Sequence, residues 1–192
     1  MKACILKESS RGIERITPED SLFSERKIFF EEEVTTASVM DLIRQLLCLE
    51  SMDPEKEISI YINSPGGEVN AGLAAYDAIR GMKCPVKTVC IGLAASMGSI
   101  LFLSGDERLI LPRSKVMIHD PLINGITGRR RALELEREAA ELMETREILA
   151  SIIAERCGKT IEEVYEKTKE DCWLSAKEAF EFGLATGIAE HA

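Results

Sequence analysis

EISIYINSPGG, residues 57–67, combines an apolar run rich in β-branched side chains with an abrupt stop. The run predicts a strand, which the SPGG sequence at residues 64–67 ends. Pro65 has no N–H to continue a sheet and the glycines permit positive φ, so a tight turn is nearly forced. Residues 69–82 then carry large apolar side chains on one side and small residues elsewhere. This pattern predicts a thin helix that packs closely against a sheet.

The same order of strand and helix recurs on both sides of this stretch. Upstream, residues 27–30 predict a strand, and Thr35 or Thr36 can cap a helix with apolar residues at three- and four-residue spacing. Downstream, residues 86–91 predict a strand, and GLAA at residues 92–95 predicts a turn that leads into an apolar helix. Strands that alternate with helices predict an α/β fold.

The C-terminal half contains a long amphipathic helix. Short strands over residues 108–111 and 115–118 lead to a loop at 120–128, which is rich in glycine. Apolar residues then recur along residues 129–156, and Gly158 stands where a left-handed residue closes a helix. We therefore expect this helix to carry a continuous apolar stripe on an otherwise charged surface.

The chain is predicted to form one domain with an N-terminal arm. Residues 1–26 are polar, contain turn signals and show no sustained period, so we expect an irregular arm or axial loop. Residues 27–192 are the length of one ordinary domain. Within them, capping boxes at residues 160–163 and 175–178 predict two further short helices.

The composition excludes several classes of protein. The chain has 24 Lys and Arg against 33 Asp and Glu, a net charge of −9. This sign disfavours binding to nucleic acid or to an anionic membrane. The longest apolar stretch, residues 89–103, is short of the ~18 residues that a membrane span needs. No signal peptide is visible, so we expect a soluble cytoplasmic protein with reduced cysteines.

Metal and nucleotide sites are also disfavoured. None of the six cysteines forms a C-x-x-C pair, and there are two histidines, of which His191 is the penultimate residue. Gly158-Lys159-Thr160 looks like the end of a phosphate-binding loop, but that loop needs glycine where Ile153 stands. We therefore expect no metal and no nucleotide in this chain, and His119 is the candidate for acid–base chemistry.

Ser96 is the candidate nucleophile, although its position has a simpler explanation. It follows a predicted strand and begins an apolar helix, whose free N–H groups would stabilise an oxyanion. Position alone favours a plain N-cap serine, because serine is among the commonest caps. A serine nucleophile needs a base and a group that orients the base. His119 and Asp171 can fill these roles, but each taken singly is more simply explained as a packed or solvated residue.

Four stretches together carry more information than any single residue. INSPGGEVNAG, GLAASMGSIL, LPRSKVMIHDPL and EDCWLSAKEAFEFGL, in this order, resemble the proteolytic subunit of the ATP-dependent Clp protease, ClpP. The resemblance runs from about residue 10 to the end of the chain. It implies a crotonase-like spiral of ββα units, from which a handle helix over about residues 129–157 projects.

The resemblance also implies a mechanism and partners. Ser96 would be the nucleophile, His119 the base and then the acid, and Asp171 the orienting carboxylate, with the N–H groups of Gly67 and Met97 as the oxyanion hole. The chain would assemble into two stacked heptameric rings and cleave unfolded polypeptides. An AAA+ unfoldase of the Clp type would deliver them, so ATP would belong to the partner and this chain would need no cofactor.

The sequence departs from the family at three places. Asp120 replaces a glutamine after His119, and Ile123 replaces a glycine at the base of the handle. Lys169 and Glu170 reverse the order of charges that pairs the rings in the family. A carboxylate beside the base is expected to favour the imidazolium, while the ring pairing is expected either to form with a reciprocal partner or to be weaker.

These departures leave two alternative functions open. The chain could be a weakly active or structural ring subunit in a mixed assembly with a second ClpP-like chain. It could also be a crotonase-type acyl-CoA enzyme, which shares the fold and the oxyanion chemistry. The Ser, His and Asp set and the SMG and MIHDP blocks favour the peptidase over this last alternative.

Overall fold

The computed structural model describes residues 4–9, 12–122 and 131–190. The predicted α/β class is confirmed by an alternation of strands and helices along most of the chain. The elements in chain order are β1 (Ile5–Ser9), β2 (Gly12–Ile16), α1 (Pro18–Ser24), β3 (Lys27–Phe30), α2 (Thr36–Met52), β4 (Ile58–Ser64), α3 (Val69–Arg80), β5 (Val86–Ala95), α4 (Met97–Leu103), β6 (Glu107–Ile110), β7 (Lys115–Ile118), α5 (Ala132–Cys157), α6 (Ile161–Thr168), β8 (Cys172–Ser175), α7 (Ala176–Phe182) and β9 (Gly187–Ile188).

A seven-stranded sheet forms the centre of the fold. Strands β3, β4, β5, β6 and β9 are parallel neighbours in this order. Strand β7 runs parallel to the end of β5, and β8 is antiparallel to β7. Strand β4 is buried along most of its length, as expected for a parallel strand with helices nearby.

The predicted turn at residues 92–95 is wrong, because β5 continues through these residues to Ala95. The first part of β5 pairs with β6, and Leu93–Ala95 pair with Lys115–Met117 of β7. Gly92, at φ 98°, lies between the two pairing regions. The pairing partner of Leu93–Ala95 is more than 20 residues away, so local sequence contained no signal for the longer strand.

Three helices pack closely on the sheet. Helix α3 is thin as predicted, and a side chain at Gly72 would overlap Met97, the first residue of α4. All seven residues of α4 are buried. Helix α2 begins after Thr35, whose hydroxyl accepts a hydrogen bond from the Ser38 N–H. Of the two predicted caps, Thr35 is therefore the one used.

Helix α5 begins at Ala132, three residues after its predicted start, and ends at Cys157, the predicted end. Residues 129–130 lie outside the described part of the chain, as do Ile123 and His191. Only the C-terminal half of α5 has buried residues, whereas Leu133 is 68% exposed. Gly158 closes the helix with φ 65°, in the predicted left-handed conformation. The helix therefore projects from the domain by its N-terminal half.

The N-terminal arm is more regular than predicted. Strands β1 and β2 form an antiparallel hairpin, and α1 follows directly. Thr17 caps α1 in a capping box with Asp20, and Pro18 occupies the first turn. The TPED sequence at residues 17–20 consists of residue types that open helices as well as turns. Packing of α1 against β3 decides between the two.

Buried arginine side chains connect the ends of several helices. Arg108 is 6% exposed and donates hydrogen bonds to the carbonyl oxygens of Leu184 at 2.8 Å, Arg156 at 3.1 Å and Gly183 at 3.2 Å. Helix ends leave carbonyl groups without intrahelical partners, and the guanidinium satisfies that of Arg156 in the last turn of α5 and those of the two residues that follow α7. Among the described helices, none is long and apolar enough to cross a membrane.

Candidate active site

The SPGG turn lies directly against the start of α4. A Cβ atom on Gly66 would come within 2.6 Å of both the Ala95 carbonyl oxygen and the Ser96 Cβ. Gly67 has φ 150°, and a Cβ atom there would overlap the Val34 carbonyl oxygen. Gly66 therefore allows the turn to approach Ser96 closely, and Gly67 allows it to approach the Val34 backbone.

Ser96 stands at the junction of β5 and α4 in a conformation that residues with side chains rarely adopt, φ 52° and ψ −124°. Its N–H donates a hydrogen bond to the Met117 carbonyl oxygen at 2.9 Å. The side chain of a plain N-cap serine would accept a hydrogen bond from an N–H group of the first helical turn. The Ser96 side chain makes no such capping bond. Instead, its Oγ lies 2.8 Å from the Nε2 atom of His119.

His119 follows β7 directly, and the pairing of β7 with β5 brings it beside Ser96. Its side chain is 14% exposed. The Nε2 atom can accept the Ser96 hydroxyl proton in one tautomer of the neutral ring. Neighbouring parallel strands thus bring together two residues that are 23 positions apart in the sequence.

Asp171 reaches His119 through strand β8, which the sequence analysis did not predict. The antiparallel register pairs Ile118 with Cys172, so the next residues, His119 and Asp171, face each other. The Asp171 Oδ1 atom lies 3.4 Å from the His119 Nδ1 atom, longer than an ordinary hydrogen bond. Nδ1 is buried and makes no hydrogen bond to any described residue, while the Asp171 side chain is 62% exposed.

A cavity of about 190 Å³ opens beside these side chains. Ser96, His119, Gly67 and Met97 all line it. The N–H groups of Gly67 and Met97 donate to no other described residue. The remaining lining is mostly apolar and is contributed by Val69, Ile100, Ile118, Pro121, Leu122, Leu149 and Ile153. The five residues of the predicted site are therefore near one another, and two of them have N–H groups without a described acceptor beside a largely apolar cavity.

Both oxygens of the Asp120 carboxylate accept hydrogen bonds from other side chains. Its Oδ2 accepts a hydrogen bond from Arg146 Nε at 2.6 Å, and its Oδ1 accepts one from the Thr168 hydroxyl at 2.7 Å. The expected stabilisation of an imidazolium by Asp120 stays a prediction. Sequence analysis missed Arg146 and Thr168, because nothing local marks a residue that binds across helices.

The cysteines do not offer an alternative nucleophile in the buried part of the molecule. All six are free thiols. Burial raises the pKa of Cys90 to about 12 and that of Cys157 to about 11, so both stay protonated at neutral pH. In the part of the chain that the structure describes, no group of three or more His, Cys, Asp and Glu side chains could hold a metal ion.

Comparison with known proteins shows the family to which the chain belongs. The family model for Clp protease matches residues 10–192. Two relatives are each 44% identical over 169 residues, which is 87% of this chain and 84% of the relative. Both are named ATP-dependent Clp protease proteolytic subunit 3, from Synechococcus sp. strains CC9902 and CC9605. The mixed α/β structure with its parallel sheet is the crotonase-like fold expected from the sequence resemblance. This chain belongs to the Clp protease family.

Proposed function

We propose that this chain is a serine endopeptidase subunit in which Ser96, His119 and Asp171 form the catalytic triad. Membership of the Clp protease family makes the chain a peptidase, and therefore a hydrolase. The observation that carries the assignment of the triad is the 2.8 Å contact between Ser96 Oγ and His119 Nε2. The serine hydroxyl is aimed at a base rather than at the helix end that it could cap.

In this mechanism, the Ser96 hydroxyl transfers its proton to His119 Nε2 as Oγ attacks the carbonyl carbon of the scissile peptide. The N–H groups of Gly67 and Met97 stabilise the resulting oxyanion, and both are free to do so. His119 then gives the proton to the departing amine, which leaves an acyl-enzyme on Ser96. Water repeats the sequence, releases the acid and restores the hydroxyl.

Asp171 acts on the second nitrogen of the imidazole. When His119 takes the proton of Ser96 it becomes an imidazolium, and a carboxylate near Nδ1 stabilises that charge. The 3.4 Å separation permits this electrostatic effect but not a good hydrogen bond. We therefore assign Asp171 a smaller role than Ser96 or His119 in the chain as it stands.

The proposal includes an assembly that delivers substrate. Two stacked heptameric rings would enclose Ser96, and a Clp-type AAA+ unfoldase would hydrolyse ATP and supply unfolded polypeptide. The exposed apolar residues on the projecting part of α5 support self-association, since a partner would cover them. They are Leu133, Leu135 and Met143. A cytoplasmic location fits the six free cysteines, since reducing compartments keep thiols unpaired.

A weakly active or structural subunit in a mixed ring is the second candidate. Two observations favour it over a fully active homomeric ring. Both relatives carry the number 3 in their name, proteolytic subunit 3. The His119 and Asp171 side chains are also further apart than in a hydrogen-bonded triad. A crotonase-type acyl-CoA enzyme, the third expectation from the sequence, gains no support from a family match to Clp protease.

A short fluorogenic peptide assay on the purified protein tests the proposal. We expect turnover by the wild type and its loss in Ser96→Ala, while Ser51→Ala, on the exposed face of α2, retains it. Native mass establishes the assembly in each case. A well-formed ring that does not cleave peptide would favour the structural alternative. Turnover that survives Ser96→Ala would contradict the assignment of the nucleophile.

A further inference from the structure

Asp120, Arg146 and Thr168 form a junction immediately beside the candidate base. Arg146 belongs to α5, Thr168 is the last residue of α6, and Asp120 follows His119. Three elements that are distant in sequence therefore meet at the residue next to the imidazole. Neither the family match nor the names of the relatives assigns a role to this junction.

The contacts of the junction are short and partly shielded from solvent. The Asp120 N–H donates to the Thr168 carbonyl oxygen at 2.9 Å, and the Thr168 hydroxyl donates to Asp120 Oδ1 at 2.7 Å. Arg146 Nε donates to Asp120 Oδ2 at 2.6 Å, with 22% of the Arg146 side chain exposed. The Tyr165 ring lies 3.8 Å from the Arg146 guanidinium carbon and fixes it from the other side.

The junction lies on the path that connects the two partners of Ser96. Asp120 is bonded to His119, and Thr168 stands three residues before Asp171. Besides the pairing of β7 with β8, the contact between Asp120 and Thr168 is thus a second connection between the segments that carry the base and the carboxylate. It therefore helps to determine the separation of Nδ1 and Oδ1, which is 3.4 Å here.

Arg146 connects this path to α5. It lies three residues, close to one helical turn, before Leu149, and Leu149 lines the cavity beside Ser96. A rotation or shift of the base of α5 would move Arg146 together with that wall of the cavity. The ion pair would transmit the movement to Asp120 and so to His119.

We propose that Arg146 is a positioning residue that, through Asp120, couples the base of α5 to the placement of His119 relative to Ser96 and Asp171. This inference rests on the proposed peptidase mechanism. It gives α5 a role in setting the geometry of the base, in addition to its proposed role in self-association. It also gives a role to Asp120, which stands where the family usually has glutamine, because its carboxylate accepts hydrogen bonds from both Arg146 and Thr168.

Removing the guanidinium tests this coupling. In Arg146→Met, we expect kcat for a short fluorogenic peptide to fall by about 10- to 100-fold, because small displacements of a catalytic group have effects of this size. KM should change little, since Arg146 does not line the cavity. The rate at which a fluorophosphonate probe labels Ser96 should fall by a similar factor. Arg146→Lys should recover part of the rate, because a cation remains opposite Asp120.

A double-mutant cycle separates positioning from independent effects. Asp120→Asn keeps the shape of the side chain and removes its charge, and we expect a loss in kcat like that of Arg146→Met. The double variant should be no slower than the worse single variant, since both changes remove one interaction. Arg80→Met is the matched control, because it removes a 2.7 Å ion pair with Asp106 beside Ser104, at the opposite end of α4 from Ser96. It should leave kcat per assembled ring unchanged.

Three outcomes would overturn the inference. Wild-type kcat in Arg146→Met at unchanged native mass would show that the ion pair does not position the base. A loss confined to thermal stability or ring assembly, with kcat per assembled ring intact, would show a structural role only. Additive losses in the double variant would show that the two residues act separately. A wild-type protein that neither cleaves peptide nor reacts with the probe would instead overturn the proposed function, and this inference with it.

Discussion

Replacing Asp171 by asparagine tests how much of the catalytic effect a distant, solvated carboxylate can supply. The change keeps the shape of the side chain and removes its charge. Asp171 Oδ1 is 3.4 Å from His119 Nδ1, and 62% of the Asp171 side chain is exposed. We therefore expect a smaller loss of rate than a buried, hydrogen-bonded triad carboxylate would give.

The separation sets the size of the effect. At the 3.4 Å distance, a carboxylate stabilises an imidazolium by about 1 kcal/mol in water and by about 5 kcal/mol at an effective dielectric constant of about 20. These limits correspond to roughly tenfold and roughly several-thousandfold in rate. Since the carboxylate is largely exposed, solvent screening places the effect toward the lower limit. We expect kcat in Asp171→Asn to fall by about 10- to 100-fold.

The assay is kcat for a fluorogenic peptide, measured on protein of verified native mass. Glu170→Gln is the matched control, because it removes one negative charge at the adjacent position. It should leave kcat nearly unchanged. A loss in Asp171→Asn as large as that in Ser96→Ala would refute the reasoning, because it requires the close contact of a fully hydrogen-bonded triad. Unchanged kcat would show that Asp171 does not act on His119.

Three further predictions concern the turn, the buried arginine and a helix cap. Gly67→Ala should lower kcat about 100- to 1,000-fold in the peptide assay, because its Cβ would overlap the Val34 carbonyl oxygen and displace one oxyanion donor; an active variant would contradict the role of Gly67. Arg108→Met should lower the free energy of unfolding in urea by about 3 kcal/mol or more, because three buried carbonyl oxygens lose their donor; an unchanged midpoint would contradict this. Hydrogen bonds from Ser175 hold the pKa of Glu178 below its ordinary value of 4.5. The ionised Glu178 therefore stabilises the fold fully above pH 4.5, and this stabilisation is lost as the pH falls through the lowered pKa. Glu178→Gln should therefore lower the melting temperature at neutral pH but not in strong acid, and an equal loss at both would disprove the linkage.

Local sequence correctly predicted the turns and helix ends that depend only on residues close together in the chain. The SPGG sequence ended β4 where expected, and Gly158 closed α5 in the left-handed conformation. The capping boxes at residues 160–163 and 175–178 formed as predicted. Each of these features depends on side chains within a few residues of one another, so the sequence contained the whole interaction.

Elements defined by distant pairing were not predicted. Residues 92–95 look like a turn, but β7 recruits them into β5. Strand β8 is four residues long and exists because it pairs with β7. The N-terminal hairpin was likewise hidden in a polar segment with no sustained period. In each case the stabilising partner lies in another part of the chain or the local pattern is too weak to select one structure.

The sequence by itself determined the α/β class, the forced turn at SPGG and the set of residues able to form a serine peptidase site. A single internal histidine and four family-like stretches were enough to select Ser96, His119 and Asp171 as candidates. Only the tertiary structure decided their relations. Strand β5 runs on to Ala95 and places Ser96 2.8 Å from His119, while the register of β8 leaves Asp171 at 3.4 Å. Distances of this kind depend on sheet pairing and on contacts such as that of Asp120 with Arg146, which no local pattern encodes.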